Sequence, residues 1–287
     1  MATTMLTQTR MMIAYDNYLL APNMVTTTPI TLTGATVASG SSLNNLLYED
    51  PWLTLRTNAP TAVPRLVYQL LSANPSGRIV GIGLVNQNVL HNYDRFIVEV
   101  SSSAGGPWTN FGEADLRNVS PANQYLANMD LLFELNTVTS AQFWRFSFDP
   151  NTGAPIEIGN IVGMQLYKVA KNPTVQQFSH DYEREIRQLR AAGGALHVWR
   201  GARHVNYSAD YIFTRIDDAQ ATQLHDIFRL YGDRLVGFKA PNQAAYVLPY
   251  AMPHFYGRME GFHVMPEQGA TATTHLNTVT TRFTHGW

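Results

Sequence analysis

Short hydrophobic runs separated by Gly, Pro, Asn and Ser follow one another from Ile13 to about Ala170. The runs are rich in Val, Ile, Phe, Tyr and Trp, which favour strands, and the residues between them favour turns. This succession predicts a β-sandwich. The predicted strands are Trp52 to Thr57, Arg65 to Leu71, Arg78 to Val85, Asp94 to Ser101, Asp130 to Leu135, Gln142 to Phe148 and Ile156 to Val169.

Several of these runs alternate in period two, as in Phe96 to Val100 and Phe143 to Phe148. Alternation places one set of side chains on each face of a strand, so that one face packs inward and the other meets water or a partner. The predicted inward residues are Phe96, Val98 and Val100 in one strand and Trp144, Phe146 and Phe148 in the other. Arg145 and Ser147 are predicted on the opposite face of the second strand.

The pattern changes at a short polar stretch that contains a proline, residues 171–174. Such a stretch is a reasonable junction between two compact units, so we predict domains at residues 1–170 and 176–287. Further strands are predicted at His197 to Tyr207, Tyr211 to Ile216, Arg234 to Phe238, Ala245 to Met252, Phe255 to Val264 and His275 to Phe283.

One helix is predicted in the second half, from Asp217 to Tyr231. Asp217 or Asp218 can cap its first amide groups, and Gly232 follows its end. Its apolar residues recur at helical spacing and predict a face that covers a sheet. They are Leu224, Ile227, Phe228 and Tyr231. The chain is therefore expected to be mainly β: an N-terminal jelly-roll sandwich and a C-terminal small β-sandwich or α+β unit with one helix.

The stretch before the second set of strands has two interpretations. Tyr182, Ile186 and Leu189 have helical spacing, and periodicity alone favours a helix slightly. The glycine pair at residues 193–194 could equally be the turn of a long hairpin.

Composition excludes several classes of protein. The chain has 287 residues, 45% of them hydrophobic, and balances 20 Lys+Arg against 21 Asp+Glu, which gives no basic excess for binding nucleic acid. Only 14% of residues are charged, and a neutral surface favours an assembly. Cysteine is absent, which excludes disulfides and thiolate chemistry. No export signal or membrane span is seen, so we expect synthesis in the cytoplasm.

Motifs for catalysis or cofactor binding are not found. Gly-x-Ser-x-Gly does not occur, and Gly81-Ile82-Gly83 lies within a strand pattern, where glycine permits close packing rather than phosphate binding. The nine histidines include no pair at metal-binding spacing, and His197 and His204 are too far apart to chelate locally. We therefore predict no catalytic, cofactor-binding or metal-binding residue and no cofactor.

The sequence offers three weaker candidates for a functional site. Asn44, Glu49 and Asp50 lie near one another and offer oxygen ligands for calcium, although a solvated loop is favoured. A glycosidase would need two facing carboxylates, and the available ones are Glu99, Glu113, Asp115 and Glu134. Aromatic residues beside predicted turns could stack on a sugar or anchor a protein, although core packing is the commoner role of tryptophan. They are Trp52, Tyr93 and Trp108.

Residues 78–88, followed by Tyr93 to Ser103, resemble the middle strands of galactose-binding-like jelly rolls of the discoidin type. In those folds an apolar strand enters an asparagine-bearing loop and is followed by a strand that ends in serines. Ala141 to Asp149 and Ile156 to Ile161 are similar to the closing strands of that fold, and the resemblance covers most of residues 10–170. The asparagine loop lacks the arginine pair of sugar-binding members, which argues against lectin activity.

A jelly roll followed by a strand, helix and strand unit resembles the minor tail and tail-tip proteins of siphophages. Residues 195–261 are similar to a small β-sandwich with one helix in that family, and this favours a hairpin from Glu183 to Val198. The resemblance implies a non-enzymatic, homo-oligomeric ring in the virion tail that contacts tube, hub and tail-tip proteins.

Two other functions remain as alternatives. The first is a carbohydrate-binding module that recognises a host-surface glycan, with Trp52, His91, Tyr93 or Trp108 around a shallow site at the loop end of the sandwich. The second is a hydrolase of cell-wall sugar, because jelly rolls also carry enzymes.

Overall fold

A computed structural model describes residues 11–50, 53–72, 78–116, 131–135, 140–150, 153–190, 196–239, 254–267 and 276–285. Of residues 90–91, 115, 150, 174–190, 196–209, 239, 254–255 and 285 it describes only the backbone. Contacts divide the chain into two compact units. The first comprises residues 1–169 and 235–256, and the second residues 170–234 and 257–287.

The described residues form mainly β-strands. They are β1 (Met12–Tyr15), β2 (Ile30–Thr33), β3 (Leu55–Arg56), β4 (Arg65–Gln69), β5 (Gly81–Gln87), β6 (Tyr93–Ser101), β7 (Thr109–Asp115), β8 (Leu131–Glu134), β9 (Phe143–Pro150), β10 (Glu157–Lys168), β11 (Thr174–Arg190), β12 (Leu196–Asp217), β13 (Val236–Lys239), β14 (His254–Pro266) and β15 (Leu276–His285). The α-helices are α1 (Val89–Asn92) and α2 (Asp218–Tyr231), and short 3-10 helices occupy Ala21–Asn23 and Leu43–Leu47. The predicted strand from Ala245 to Met252 lies outside the described residues.

The first unit is a sandwich of two antiparallel sheets. A five-stranded sheet has the order β2-β4-β9-β6-β7. The other sheet runs β13-β1-β10-β5-β8, and β3 also pairs with β10. The predicted class, mainly β with an N-terminal jelly-roll sandwich and a second β unit that contains one long helix, is confirmed.

Aromatic side chains fill the space between the two sheets. All six residues that alternation predicted to face inward are buried, and Phe96 stacks on Phe133 of β8 with ring centroids 5.5 Å apart. Phe96 also stacks on Phe146 at 6.0 Å, while Tyr68 meets Phe146 edge to face at 5.3 Å. The period-two pattern therefore identified this core, because residues two positions apart on β6 and β9 point to the same side.

Tyr256 packs on the opposite face of the β10–β5–β8 region, over two glycines. A Cβ atom at Gly83 would lie 1.6 Å from the Tyr256 hydroxyl, and one at Gly237 would lie 2.5 Å from its ring. The hydroxyl donates to the carbonyl oxygen of Leu131 at 3.1 Å. Gly83 thus makes room for a side chain, which agrees with the packing interpretation of the Gly81-Ile82-Gly83 segment.

The first unit takes residues 235–256 from the second half of the chain. β13 pairs with β1 through Met12–Lys239, Ile13–Phe238 and Ala14–Gly237. The junction after Val169 falls beside the expected boundary, but the expected domain of residues 176–287 did not separate this returning segment. The domain limits of 1–170 and 176–287 stay a prediction, and the pairing of β13 with β1 weighs against independent folding of residues 1–170.

The second unit contains a long antiparallel hairpin and one helix. β11 and β12 pair from Thr174–Ile212 to Arg190–Leu196, so residues 182–189 are strand and the hairpin interpretation is confirmed over the helix. The sheet continues through β15 to β14. Asp217 caps α2 by accepting the Gln220 amide at 2.8 Å, and Gly232 follows its end as predicted.

The apolar face of α2 is only partly as expected. Leu224 and Ile227 are buried, whereas Phe228 is half-buried and stacks on Phe262 of β14 with centroids 5.4 Å apart. Tyr231 is also half-buried. The centre of the helix face therefore lies nearer Leu224, and Phe228 sits toward its rim.

Candidate functional site

A polar and aromatic cluster lies on the outer face of the five-stranded sheet, the face turned away from the sandwich core. Strand pairing aligns Val67, Arg145 and Glu99 across β4, β9 and β6. Asn110 of β7 follows beside Glu99, and Thr31 of β2 lies beside Val67. This cross-strand row spans roughly 19 Å, four spacings of about 4.8 Å.

Arg145 and Glu99 form the centre of the cluster. Two guanidinium nitrogens of Arg145 donate to the two carboxylate oxygens of Glu99, each at 2.6 Å. Ser147 donates its hydroxyl to Glu99 at 3.0 Å. The Arg145 and Glu99 side chains are 18% and 17% exposed, so the pair is partly shielded from water yet reachable. Bidentate geometry fixes both groups and leaves their outer edges for further hydrogen bonds.

Trp108 lies over this pair. The guanidinium carbon of Arg145 is 4.3 Å from the centroid of the Trp108 ring, a cation–π contact, and the indole is half-buried. The loop that carries Trp108 is held by Ser103, whose hydroxyl donates to the Gly106 carbonyl at 2.6 Å. Gly106 has φ +92°, and a Cβ there would lie 3.0 Å from the indole, so glycine allows the ring to pack against its own loop.

The charge state of Glu99 argues against acid catalysis. Burial raises its pKa, but hydrogen bonds from Arg145 and Ser147 outweigh this, and the pKa is lowered from its usual value. A carboxyl group with a lowered pKa is ionised at neutral pH and cannot donate a proton to a leaving group. Glu99 is therefore poorly suited to act as the general acid of a glycosidase.

The remaining predicted carboxylates are also engaged in ion pairs. Arg95 contacts Glu113 at 3.1 Å and Asp149 at 2.5 Å, and Lys168 pairs with Glu134. The side chain of Asp115 lies outside the described residues. These pairings are consistent with a structural role for the described carboxylates.

Two of the four residues expected at one loop-end site, Tyr93 and Trp108, lie apart in the structure. Tyr93 is buried, donates its hydroxyl to the Ala154 carbonyl at 2.5 Å and has its pKa raised to about 12 by burial. Trp108 follows the other end of β6, about 26 Å away along the eight residue steps from Tyr93 to Ser101. Trp52 and the side chain of His91 lie outside the described residues. Of the described members of this set, Trp108 is the one that contacts the Arg145–Glu99 pair.

The asparagine-bearing loop of the resemblance is used internally. Asn88 accepts the Glu157 amide at 2.9 Å and donates to the Pro155 carbonyl at 3.0 Å. Gln87 accepts the Val89 amide at 2.6 Å. These bonds tie the end of β5 to the start of β10, so the amides of Asn88 and Gln87 act as loop supports.

The calcium candidates show no ligand cluster. Asn44 and Asp50 are exposed, and the Asn44 backbone amide is taken by the Ser42 hydroxyl at 3.2 Å. Across the residues that the structure describes, no group of three or more His, Asp or Glu could hold a metal ion. The side chains of His197 and His204 are outside that description.

In the described part of the chain, no helix is long and apolar enough to span a bilayer.

Sequence reasoning missed the partners of Trp108. Alternation predicts Arg145 and Ser147 on the outer face, and the sequence identifies Glu99 only as one of several carboxylates. The period of β6 also puts Glu99 on that face, opposite to Val98 and Val100. What sequence could not supply was the register that sets Arg145 beside Glu99.

Carbohydrate-binding modules are among the solved structures that resemble part of the chain. A chitosan-binding module from a chitosanase/glucanase of Paenibacillus sp. IK-5 is 13% identical, with 53% of this chain and 99% of that chain covered and a TM-score of 0.39. The family 32 module of AlyQ, in complex with 4,5-unsaturated mannuronic acid, is 13% identical, with 53% and 97% covered and a TM-score of 0.36. The family 32 module of NanJ from C. perfringens, in complex with galactose, is 10% identical, with 50% and 98% covered and a TM-score of 0.37.

These values are too low to carry an argument about the ligand of this chain. No protein-family model matches the chain, and no curated protein matches its sequence.

Proposed function

We propose that this protein is a non-catalytic carbohydrate-binding protein and that its sugar site is the outer face around Trp108, Arg145 and Glu99. The observation that carries the proposal is the half-buried indole held at 4.3 Å over a guanidinium that is itself fixed by two 2.6 Å bonds. An indole presents a flat surface to the C–H face of a sugar ring, and ionised groups beside it can bond the hydroxyls.

The shape of the face favours an oligosaccharide rather than a single sugar. The row from Asn110 through Arg145 to Thr31 is roughly 19 Å long, about the length of a short oligosaccharide. Thr31 and Asn110 are exposed and add polar groups at both ends. Arg145 and Glu99 are already oriented by each other, which lowers the entropy cost of binding.

A glycan array probed with the purified chain tests the proposal, with titration calorimetry on the strongest ligand. We expect Trp108→Ala to lower affinity by about tenfold or more, because the sugar ring would lose the apolar contact area that the indole provides. Leu71→Ala, at another exposed apolar side chain of the first unit, is the control and should bind as the parent does. Silence across the array, or equal binding by Trp108→Ala, would contradict the proposal.

The second candidate function is assembly into a phage tail tip, as the sequence resemblance implies. One observation favours it. In the described residues, β11 pairs with β12 on one side and stands at the end of the sheet order, so a strand of 17 residues has an open edge. Open edges of this length are sites for strand pairing with another chain.

Under this hypothesis the chain is made in the host cytoplasm, forms a ring in the virion tail and contacts tube and hub proteins. Sedimentation of the purified chain tests it. A homo-oligomer that incorporates tail components from an infected lysate would support assembly, and a monomer that captures none would contradict it.

A further inference from the structure

Among the described residues of the outer face, one arginine lacks the close carboxylate partner that the other arginines have. Arg145 and Arg95 each hold a carboxylate at 3.1 Å or less. Among the described residues, Arg65 makes no direct ion pair and influences Glu99 only through the electrostatic field, although it is exposed on the same face. Within the part of the chain that the structure describes, Arg65 is thus the arginine of this face whose whole guanidinium is left without an ion pair.

Strand register places Arg65 next to the Trp108 cluster. Arg65 lies directly opposite Ser147, and Ser147 bonds Glu99 at 3.0 Å. Arg145 is the diagonal neighbour of Arg65 on β9, a separation of roughly 7–8 Å between backbones. A ligand stacked on Trp108 and extended along the face would therefore bring its next group within reach of the Arg65 guanidinium.

Resting on the proposed function, we propose that this site selects acidic glycans, in which a ring carboxylate pairs with Arg65 while a neighbouring sugar stacks on Trp108. The planar fork of a guanidinium matches a carboxylate with two parallel hydrogen bonds. Glu99 is held by Arg145 and Ser147, so it does not compete for Arg65 through a direct bond. Thr33, which is exposed opposite Arg65 on β2, adds a hydroxyl beside the carboxylate.

The test uses an array that carries neutral, carboxylated and sulfated oligosaccharides, followed by calorimetry with the best carboxylated ligand and its carboxyl-reduced form. We expect the carboxylated ligand to bind about tenfold more tightly than its reduced form. Arg65→Gln should abolish that difference without changing the affinity for the reduced form. Raising the salt concentration should weaken only the acidic ligand.

Arg56→Gln serves as the matched control. Arg56 is also an exposed arginine of the first unit, but it lies on β3 and pairs with Glu157 at 2.8 Å, so its loss should not alter selectivity. Hits limited to neutral or sulfated glycans would overturn acidic selectivity and leave sugar binding standing. An array without hits would instead defeat the proposed function itself.

Discussion

The contact between Tyr256 and Gly83 allows a sharp test of how the first unit is held together. Tyr256 is 1% exposed and bonds the Leu131 carbonyl at 3.1 Å, so Tyr256→Ala removes a buried aromatic ring and a hydrogen bond. Removing a buried aromatic side chain costs about 3–5 kcal/mol of unfolding free energy. Gly83→Ala places a Cβ atom 1.6 Å from the Tyr256 hydroxyl and 2.7 Å from Val162, so the ring must leave its site.

We therefore expect each single variant to lose about 3 kcal/mol of unfolding free energy. The double variant should lose less than the sum of the two losses. Once the ring is gone, the alanine at position 83 still meets Val162 at 2.7 Å, and the second substitution should cost about 1 kcal/mol. The resulting coupling energy is about 2 kcal/mol, which is typical of residues in direct contact.

Urea unfolding followed by tryptophan fluorescence measures these free energies, because Trp144 is buried in the core of the first unit. Gly105→Ala is the control, since a Cβ atom there meets nothing within 4 Å, and it should change stability by less than about 0.5 kcal/mol. Additive losses in the double variant, or a silent Gly83→Ala, would refute the packing that we describe.

Three further predictions concern the fragment, the helix and pH. A fragment of residues 1–171 lacks β13 and the residue that covers Gly83, so it should show no cooperative melt by calorimetry, whereas a cooperative melt would mean that the returning segment is dispensable. Leu224→Ala should cost about 2–5 kcal/mol and Phe228→Ala clearly less, because Phe228 is half-buried, and thermal unfolding ranks the two. The lowered pKa of Glu99 contributes stability that is present above its unfolded pKa and lost as pH falls through the folded pKa. Glu99→Gln should therefore flatten the acid limb of a pH–stability curve, and an unchanged limb would contradict this.

The sequence was sufficient for the core and for the class of fold, because period-two alternation is a local property of each strand. Phe96, Phe146 and Phe148 were placed inward correctly for this reason. The capped helix α2 was also predicted within one residue of its observed start. In both cases the signal lies within a few consecutive residues.

Contacts between residues that are far apart in the sequence could not be predicted from such local patterns. Tyr256 reaches Gly83 over more than half the chain, and no local pattern reports such a contact. Tyr93 looked like a loop aromatic, yet it is the first residue of β6 and points into the core. The binding candidate was missed as a unit because Trp108, Arg145 and Glu99 come from two strands and a loop whose register alone brings them together.

Nuclear magnetic resonance of the tryptophan indole N–H groups tests the central claim most directly. Trp108→Phe assigns one signal, and the buried Trp144 provides an internal reference within the same sandwich. We expect titration with an oligosaccharide found on the array to shift the Trp108 signal, to saturate at the affinity measured by calorimetry and to leave Trp144 nearly unmoved. Binding that leaves the Trp108 signal unchanged would place the sugar elsewhere and contradict the account.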